Sequence, residues 1–256
     1  MPGHTGREQL KIFPIRSRLA GFEQEEQAIQ HLAAVLGEPV LRAPTPSMAD
    51  GLLLCSGGVE EECVNLLRGG ASRVMLAGPD HNAYAAGAEV AAWGQREGVP
   101  LRLQPLGQRN GVQVRYWLVA QRARNRLKEA VIGLLGGSAS WLVASVPQEE
   151  LLGERFGTGL THLGWTELLE GIGDDFPFRK AAHADRWTAL PRAETVVTQD
   201  MRRSLGFSAA LEQLVRKRAF SAVALDCFQL VTRLHLTGCL ALADLNEAGI
   251  PAACEG

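Results

Sequence analysis

Short apolar runs alternate along the chain with longer stretches in which apolar residues recur every three or four positions. KIFPI (Lys11 to Ile15) reads as a strand, and the stretch from Glu23 to Gly37 reads as a helix. In that helix Ile29, Leu32, Ala33 and Leu36 share one face of a 3.6-residue period, and Gly37 stands where a left-handed cap belongs. PVLRA (Pro39 to Ala43) predicts a short strand, and GLLLCSGG (Gly51 to Gly58) a buried strand running into a glycine loop. A helix over 59–68, a strand over 73–78, a helix over 82–98 and a strand over 99–106 complete a first series. Strands this apolar, separated by helices, predict a parallel sheet covered on both faces.

The polar segment GQRNG after Leu106 marks a boundary, and a second series follows it. Its elements are a basic helix over 112–128, a strand at 131–137, a helix over 147–156, a strand at 161–165 and a helix from Thr166. The stretch from Asp174 to Leu205 reads as helical and polar, broken at Pro177 and Pro191. A helix over 208–218, a strand over 220–226, a helix over 239–249 and a strand over 250–255 close the series. The prediction is two consecutive three-layer, doubly wound α/β domains with mostly parallel sheets, 1–110 and 111–256. The basic helix, with Arg115, Arg122, Arg124, Arg126 and Lys128, is expected to present a solvated face and turn Trp117, Leu118 and Leu127 inward.

Composition narrows this picture only by exclusion. With 46% hydrophobic and 21% charged residues, the 256-residue chain has ample material for a core. The 26 Lys+Arg nearly balance the 28 Asp+Glu, so no general charge favours nucleic acid or an acidic membrane surface. No apolar run approaches the roughly 20 residues of a membrane span. The polar start MPGHTGREQLKIF is unlike a signal peptide, and five cysteines contain no C-x-x-C pair, so reduced thiols in the cytoplasm are expected.

In open parallel sheets, ligands sit beyond the carboxyl ends of the strands. Five such ends are polar or glycine-rich: Cys55-Ser56-Gly57-Gly58, Gly78-Pro79-Asp80-His81-Asn82, Gly136-Gly137-Ser138, Asp226-Cys227 and Ala253-Cys254-Glu255. The first two lead into helices whose free N–H groups suit anions or polar ligands, yet neither is a dinucleotide fingerprint or a P-loop. Asp80 and Asn82 are equally read as helix caps, His81 as a loop residue, and Glu255 as a solvated one. His162, His183 and His235 lack metal-ligand spacing, and no G-x-S-x-G elbow is present. The residues alone describe a two-domain α/β protein that binds a small polar molecule.

The stretch SAVALDCFQLVTRLHLTGCLALADLNEAGIPAACEG resembles the second domain of the fucose isomerase-like family, which includes arabinose isomerases. There, a strand ending in a polar residue and cysteine precedes a variable loop; a helix C-x-x-x-S/A-x-L-N-x-x-G then leads to a strand ending C-E-x-D. Cys239, Leu245, Asn246, Gly249, Cys254 and Glu255 fit that spacing. GWTELLEGI, VIGLLGGSAS and the segment from Arg73 to Leu103 resemble other family segments more loosely. The resemblance implies an aldose–ketose isomerase of carbohydrate metabolism that uses Mn2+, with Glu255 as catalytic metal ligand and Asp226 facing a small sugar. Arg16, or Arg18, corresponds to an arginine that reaches a neighbouring subunit's sugar, so a homo-oligomer is implied for the full-length protein. The family's remaining ligands, an aspartate and a histidine, belong to a C-terminal domain expected beyond Gly256. Without it the chain should be inactive. The alternative is a non-catalytic sugar-binding or regulatory α/β module.

Overall fold

The computed structural model describes residues 8–173 and 198–254, apart from 108, 140, 145 and 147. Two compact units divide the chain, Met1–Arg126 and Leu127–Gly256. The first carries strands β1 (Lys11–Ile15), β2 (Leu41–Arg42), β3 (Gly51–Leu54), β4 (Val74–Ala77) and β5 (Arg102–Pro105), with helices α1 (Phe22–Leu36), α2 (Glu60–Arg68), α3 (Ala83–Arg96) and α4 (Gly111–Glu129). All neighbours are parallel, in the order β2-β1-β3-β4-β5. β3 and β4 are apolar throughout, but the period of two still sorts their side chains. Leu52, Leu54, Met75 and Ala77 meet Cys63 and Leu67 of α2 and Ala86 and Val90 of α3. Leu53, Val74 and Leu76 meet Leu32 and Leu36 of α1 and Val114 and Leu118 of α4. Helices on both faces make the sheet doubly wound, as the alternation predicts.

That packing places α4 with the first sheet, so the units part at Arg126 and Leu127 rather than at 110 and 111. Its basic residues do more than face solvent. Arg122 reaches the buried Asp50 with Nε at 3.1 Å and Nη2 at 2.5 Å, and donates to the carbonyls of Glu8 and Gln9. Arg115 pairs with Glu38 at 2.6 Å. Leu118 turns inward, whereas Leu127 is exposed.

The second unit holds β6 (Val131–Leu135), β7 (Gly159–Leu163), β8 (Ala222–Leu225) and β9 (Ala252–Cys254), parallel in the order β7-β6-β8-β9. Its helices are α5 (Glu149–Phe156), α6 (Trp165–Ile172), α7 (Thr198–Lys217), α8 (Cys227–Leu234) and α9 (Cys239–Glu247). Phe207, Leu211 and Leu214 of α7 pack with Leu135, Val223 and Leu225 of the sheet, Leu168 of α6, Leu230 of α8 and Leu245 of α9. Trp165 belongs to α6 rather than to the preceding strand, because the Gly164 N–H donates to the Glu167 carboxylate and starts the helix there. Residues 174–197, within the polar stretch read as helical, lie outside the described residues.

Candidate functional sites at the strand tips

In each sheet the strand order reverses beside the first strand of its unit, between β1 and β3 and between β6 and β8. Connections leave such neighbours toward opposite faces, opening a crevice at their carboxyl ends. In the first unit the reversal brings together two segments singled out by sequence. The Gly57 N–H donates to the His81 carbonyl at 2.7 Å, and the Ser17 N–H donates to Ser56 Oγ at 2.9 Å. A Cβ on Gly57 would stand 3.0 Å from Cβ of Asn82, so a side chain there would crowd the next segment. His81 and Asn82 follow each other in the left-handed region, at φ 54° and 58°, conformations that non-glycine residues adopt at a cost. Asn82 occupies the cap position of α3, but its side chain makes no capping bond.

A pocket of about 200 Å³ opens beside this junction, lined by Gln24, Gln27, His31, Cys55, Asp80 and His81 among others. A second hollow of about 510 Å³ is bounded by Ser17, Ser56, Gly58, His81 and Asn82. His31 Nε2 is buried and has no hydrogen-bond partner among the described residues. Burial pushes the Cys55 thiol up to about 11, so at neutral pH it stands as a protonated wall of the pocket.

Arg16 leaves β1 toward the same edge, and its guanidinium is engaged locally. Nε donates to Glu25 Oε2 at 3.0 Å, Nη1 donates to the Ala20 carbonyl at 2.9 Å, and the group lies 4.1 Å over the Phe22 ring. Glu25 is itself buried and also pairs with Arg42. Arg16 thereby braces the β1–α1 turn. Arg18, exposed, lines a wide hollow that Arg16 shares with Glu61 and Glu62.

In the second unit Asp226 follows β8 and is 1% exposed. It caps α8: Oδ1 accepts from the Gln229 N–H at 3.2 Å, and Oδ2 accepts from Gln229 Nε2 at 2.6 Å. Its own N–H donates to the Leu135 carbonyl at 2.9 Å, fixing it at the β6–β8 reversal. Gly136 and Gly137 turn the chain after β6 at φ 86° and 98°, and a Cβ on Gly136 would strike the Trp165 ring at 2.7 Å. Leu225 is the register partner of Cys254, so β8 and β9 end side by side. Glu255, the next residue, lies outside the described residues, as does His183.

Sequence reasoning missed two features here. Residues 227–234, expected as a variable loop, form α8; a capping aspartate followed by Leu230, Val231 and Leu234 at helical spacing was its signal. The exposed Trp141 and Phe228 rings meet edge to face at 5.2 Å, a pairing of residues 87 apart that no local pattern announces.

Manganese takes several hard oxygen ligands. Among the described residues no group of three or more His, Cys, Asp or Glu side chains could hold a metal ion. Near the β8 and β9 tips, both Asp226 oxygens are bonded to Gln229 and the remaining candidates are the thiols of Cys227, Cys239 and Cys254. The described residues therefore do not fit a manganese site. No described helix is long and apolar enough to cross a membrane. No family model matches the chain, and no curated protein matches it.

Proposed function

We propose that the chain recognises a small sugar at its strand tips as part of an aldose–ketose isomerase of the fucose isomerase-like kind. The observation that carries this reading is the alignment of β8 and β9. Leu225 and Cys254 are register partners at the carboxyl edge of a doubly wound sheet, so Asp226, next after β8, stands beside the tip of β9, and Glu255 is next in sequence after that tip. That edge is where such sheets take their ligands. The C-terminal pattern through Cys239, Asn246, Gly249, Cys254 and Glu255 supplies the link to sugar chemistry. In this reading Asp226 positions the sugar from its place at the start of α8, while Glu255 takes part in holding a divalent ion completed by groups outside the described residues.

A second reading, a sugar-binding module without catalysis, is favoured by the first unit. Its pocket brings amide, imidazole and carboxylate side chains together around a volume suited to a monosaccharide-sized polar molecule. Saturation-transfer NMR with aldopentoses, 6-deoxyaldohexoses and the matching alditols tests both. The isomerase reading expects sugar signals that strengthen when a divalent ion is added as diamagnetic Mg2+, since paramagnetic Mn2+ would broaden them, and loss of that increment in Glu255→Gln. Sugar binding indifferent to the divalent ion favours the module, and no binding by any of these ligands removes both.

A further inference from the structure

We propose that Cys227 and Cys254 are a dithiol that closes reversibly to a disulfide, tying the start of α8 to the tip of β9. The pair is made by the sheet. Leu225 and Cys254 are parallel register partners, and the chain turns at Asp226, whose carboxylate caps α8 and makes Cys227 its first helical residue. Register partners in a parallel sheet face the same side, and a Cβ on Gly238 would meet both Leu225 Cδ2 at 2.5 Å and the Cys227 sulfur at 2.9 Å, so Cys227 and Cys254 share that side of the sheet. Cys254 is exposed and Cys227 is half-buried, so an oxidant reaches Cys254 first and finds Cys227 behind it. Cys55 and Cys63, by contrast, are buried in the first unit. The inference requires neither a sugar nor a metal and stands apart from the proposed function.

The co-reactant is a hydroperoxide. Its terminal oxygen bonds to the Cys254 sulfur as the O–O bond breaks, giving a sulfenic acid and, from hydrogen peroxide, water. Burial holds the Cys227 thiol up to about 12, so its sulfur attacks as the proton leaves and the step quickens as pH rises; the S–S bond forms, the S–O bond breaks, and hydroxide leaves with the Cys227 proton as water. Two electrons pass from the two thiols to the peroxide, and a small dithiol such as dithiothreitol returns them by exchange.

The test is peptide mapping of the full chain after hydrogen peroxide treatment and alkylation of the remaining thiols. No lysine or arginine separates Cys239 from Cys254, so digestion combines trypsin with a glutamate-specific protease that cuts at Glu247. The expected result is loss of two alkylatable thiols, a mass decrease of about 2 Da, and a linked pair of peptides carrying Cys227 and Cys254, all reversed by dithiothreitol. Cys239→Ser should keep the bridge, and Cys227→Ser and Cys254→Ser should each abolish it with an unchanged circular dichroism spectrum. A bridge that includes Cys239, or Cys254 oxidised to the sulfinic acid while Cys227 stays alkylatable, overturns the proposal. Should a serine variant fail to fold, the wild-type peptide map decides alone.

Discussion

The two sheets share a doubly wound order, yet their carboxyl edges are finished differently. In the first unit the edge is closed by main-chain bonds, with Gly57 donating to the His81 carbonyl and a pocket of about 200 Å³ behind them. Its thiols are sealed in: burial raises Cys55 to about 11 and Cys63 to about 12. In the second unit burial also raises the half-buried Cys227 to about 12, but the edge carries other side chains outward, with Cys239 and Cys254 exposed and the Trp141–Phe228 pair standing in solvent. The same topology thus makes a walled, polar crevice in one place and a more open one in the other. Strand order determines where a site can be; the residues just past each strand decide its chemistry.

The strongest way to break this comparison is through the second core. Phe207 is 0% exposed and sits where α7 meets the second sheet. Phe207→Ala should cost about 3–5 kcal/mol, since a buried aromatic leaves a cavity its neighbours only partly fill. Hydrogen exchange should register the loss within residues 127–254 and leave the amides of β3 and β4 protected. Equal deprotection of both units would mean that the edges belong to one cooperative structure rather than two.

Next in size is the ion pair that holds α4 against the first sheet. Asp50 is buried and accepts from the Lys11 N–H at 2.7 Å as well as from Arg122. Arg122→Ala removes one partner and leaves a buried carboxylate undercompensated, for which about 2–3 kcal/mol in urea titration is expected, below the full cost of a wholly buried pair because Arg122 is partly exposed. A loss under about 0.5 kcal/mol would place Arg122 with ordinary surface pairs.

The third prediction uses the sealed thiols. Folded Cys55 and Cys63 hold their protons to about 11 and about 12, whereas unfolded thiols release theirs from the ordinary 9.0. Both pKa values are raised, so the contribution is fully present below pH 9 and is lost as pH climbs toward the folded values. Cys55 alone should remove on the order of 2 kcal/mol by pH 11. Urea midpoints should fall more steeply between pH 9 and 11 in the wild type than in Cys55→Ala. In the native state at pH 8, iodoacetamide should modify Cys239 and Cys254 well before Cys55 and Cys63; equal rates would erase the contrast between the two edges.

How much of this was legible in sequence follows from the range of the interaction concerned. The strands declared themselves because Leu52, Leu53 and Leu54 are each buried, and so short a run apolar on both faces suits the middle of a covered parallel sheet. Gly57 and Gly136 stood out because close approach and positive φ restrict the choice of residue locally. The Asp50–Arg122 pair spans 72 positions, and nothing near either residue distinguishes it from an exposed charge. Arg16 was named only through the family resemblance, with Arg18 as its alternative, and its bond to Glu25 was not legible, so sequence could not tell a brace from a sugar contact. The family resemblance addressed the very end of the chain, and Glu255 lies just past the last described residue.

The smallest expected effect separates the two duties of Asp226. As the cap of α8 its carboxylate satisfies the Gln229 N–H, and Asp226→Ala should cost about 1 kcal/mol, the usual value of a helix cap. Asp226→Ser keeps a side-chain oxygen able to cap but removes the charge and the second bond to Gln229 Nε2. If Asp226 only caps, Ser should restore stability and leave sugar saturation-transfer signals unchanged. If it also positions a sugar at the open edge, Ser should restore stability while the signals fall several-fold. Comparing the two variants in a urea titration and in the NMR experiment therefore decides whether the carboxylate at the second edge serves the fold alone, and an unchanged signal in both would remove Asp226 from the binding site.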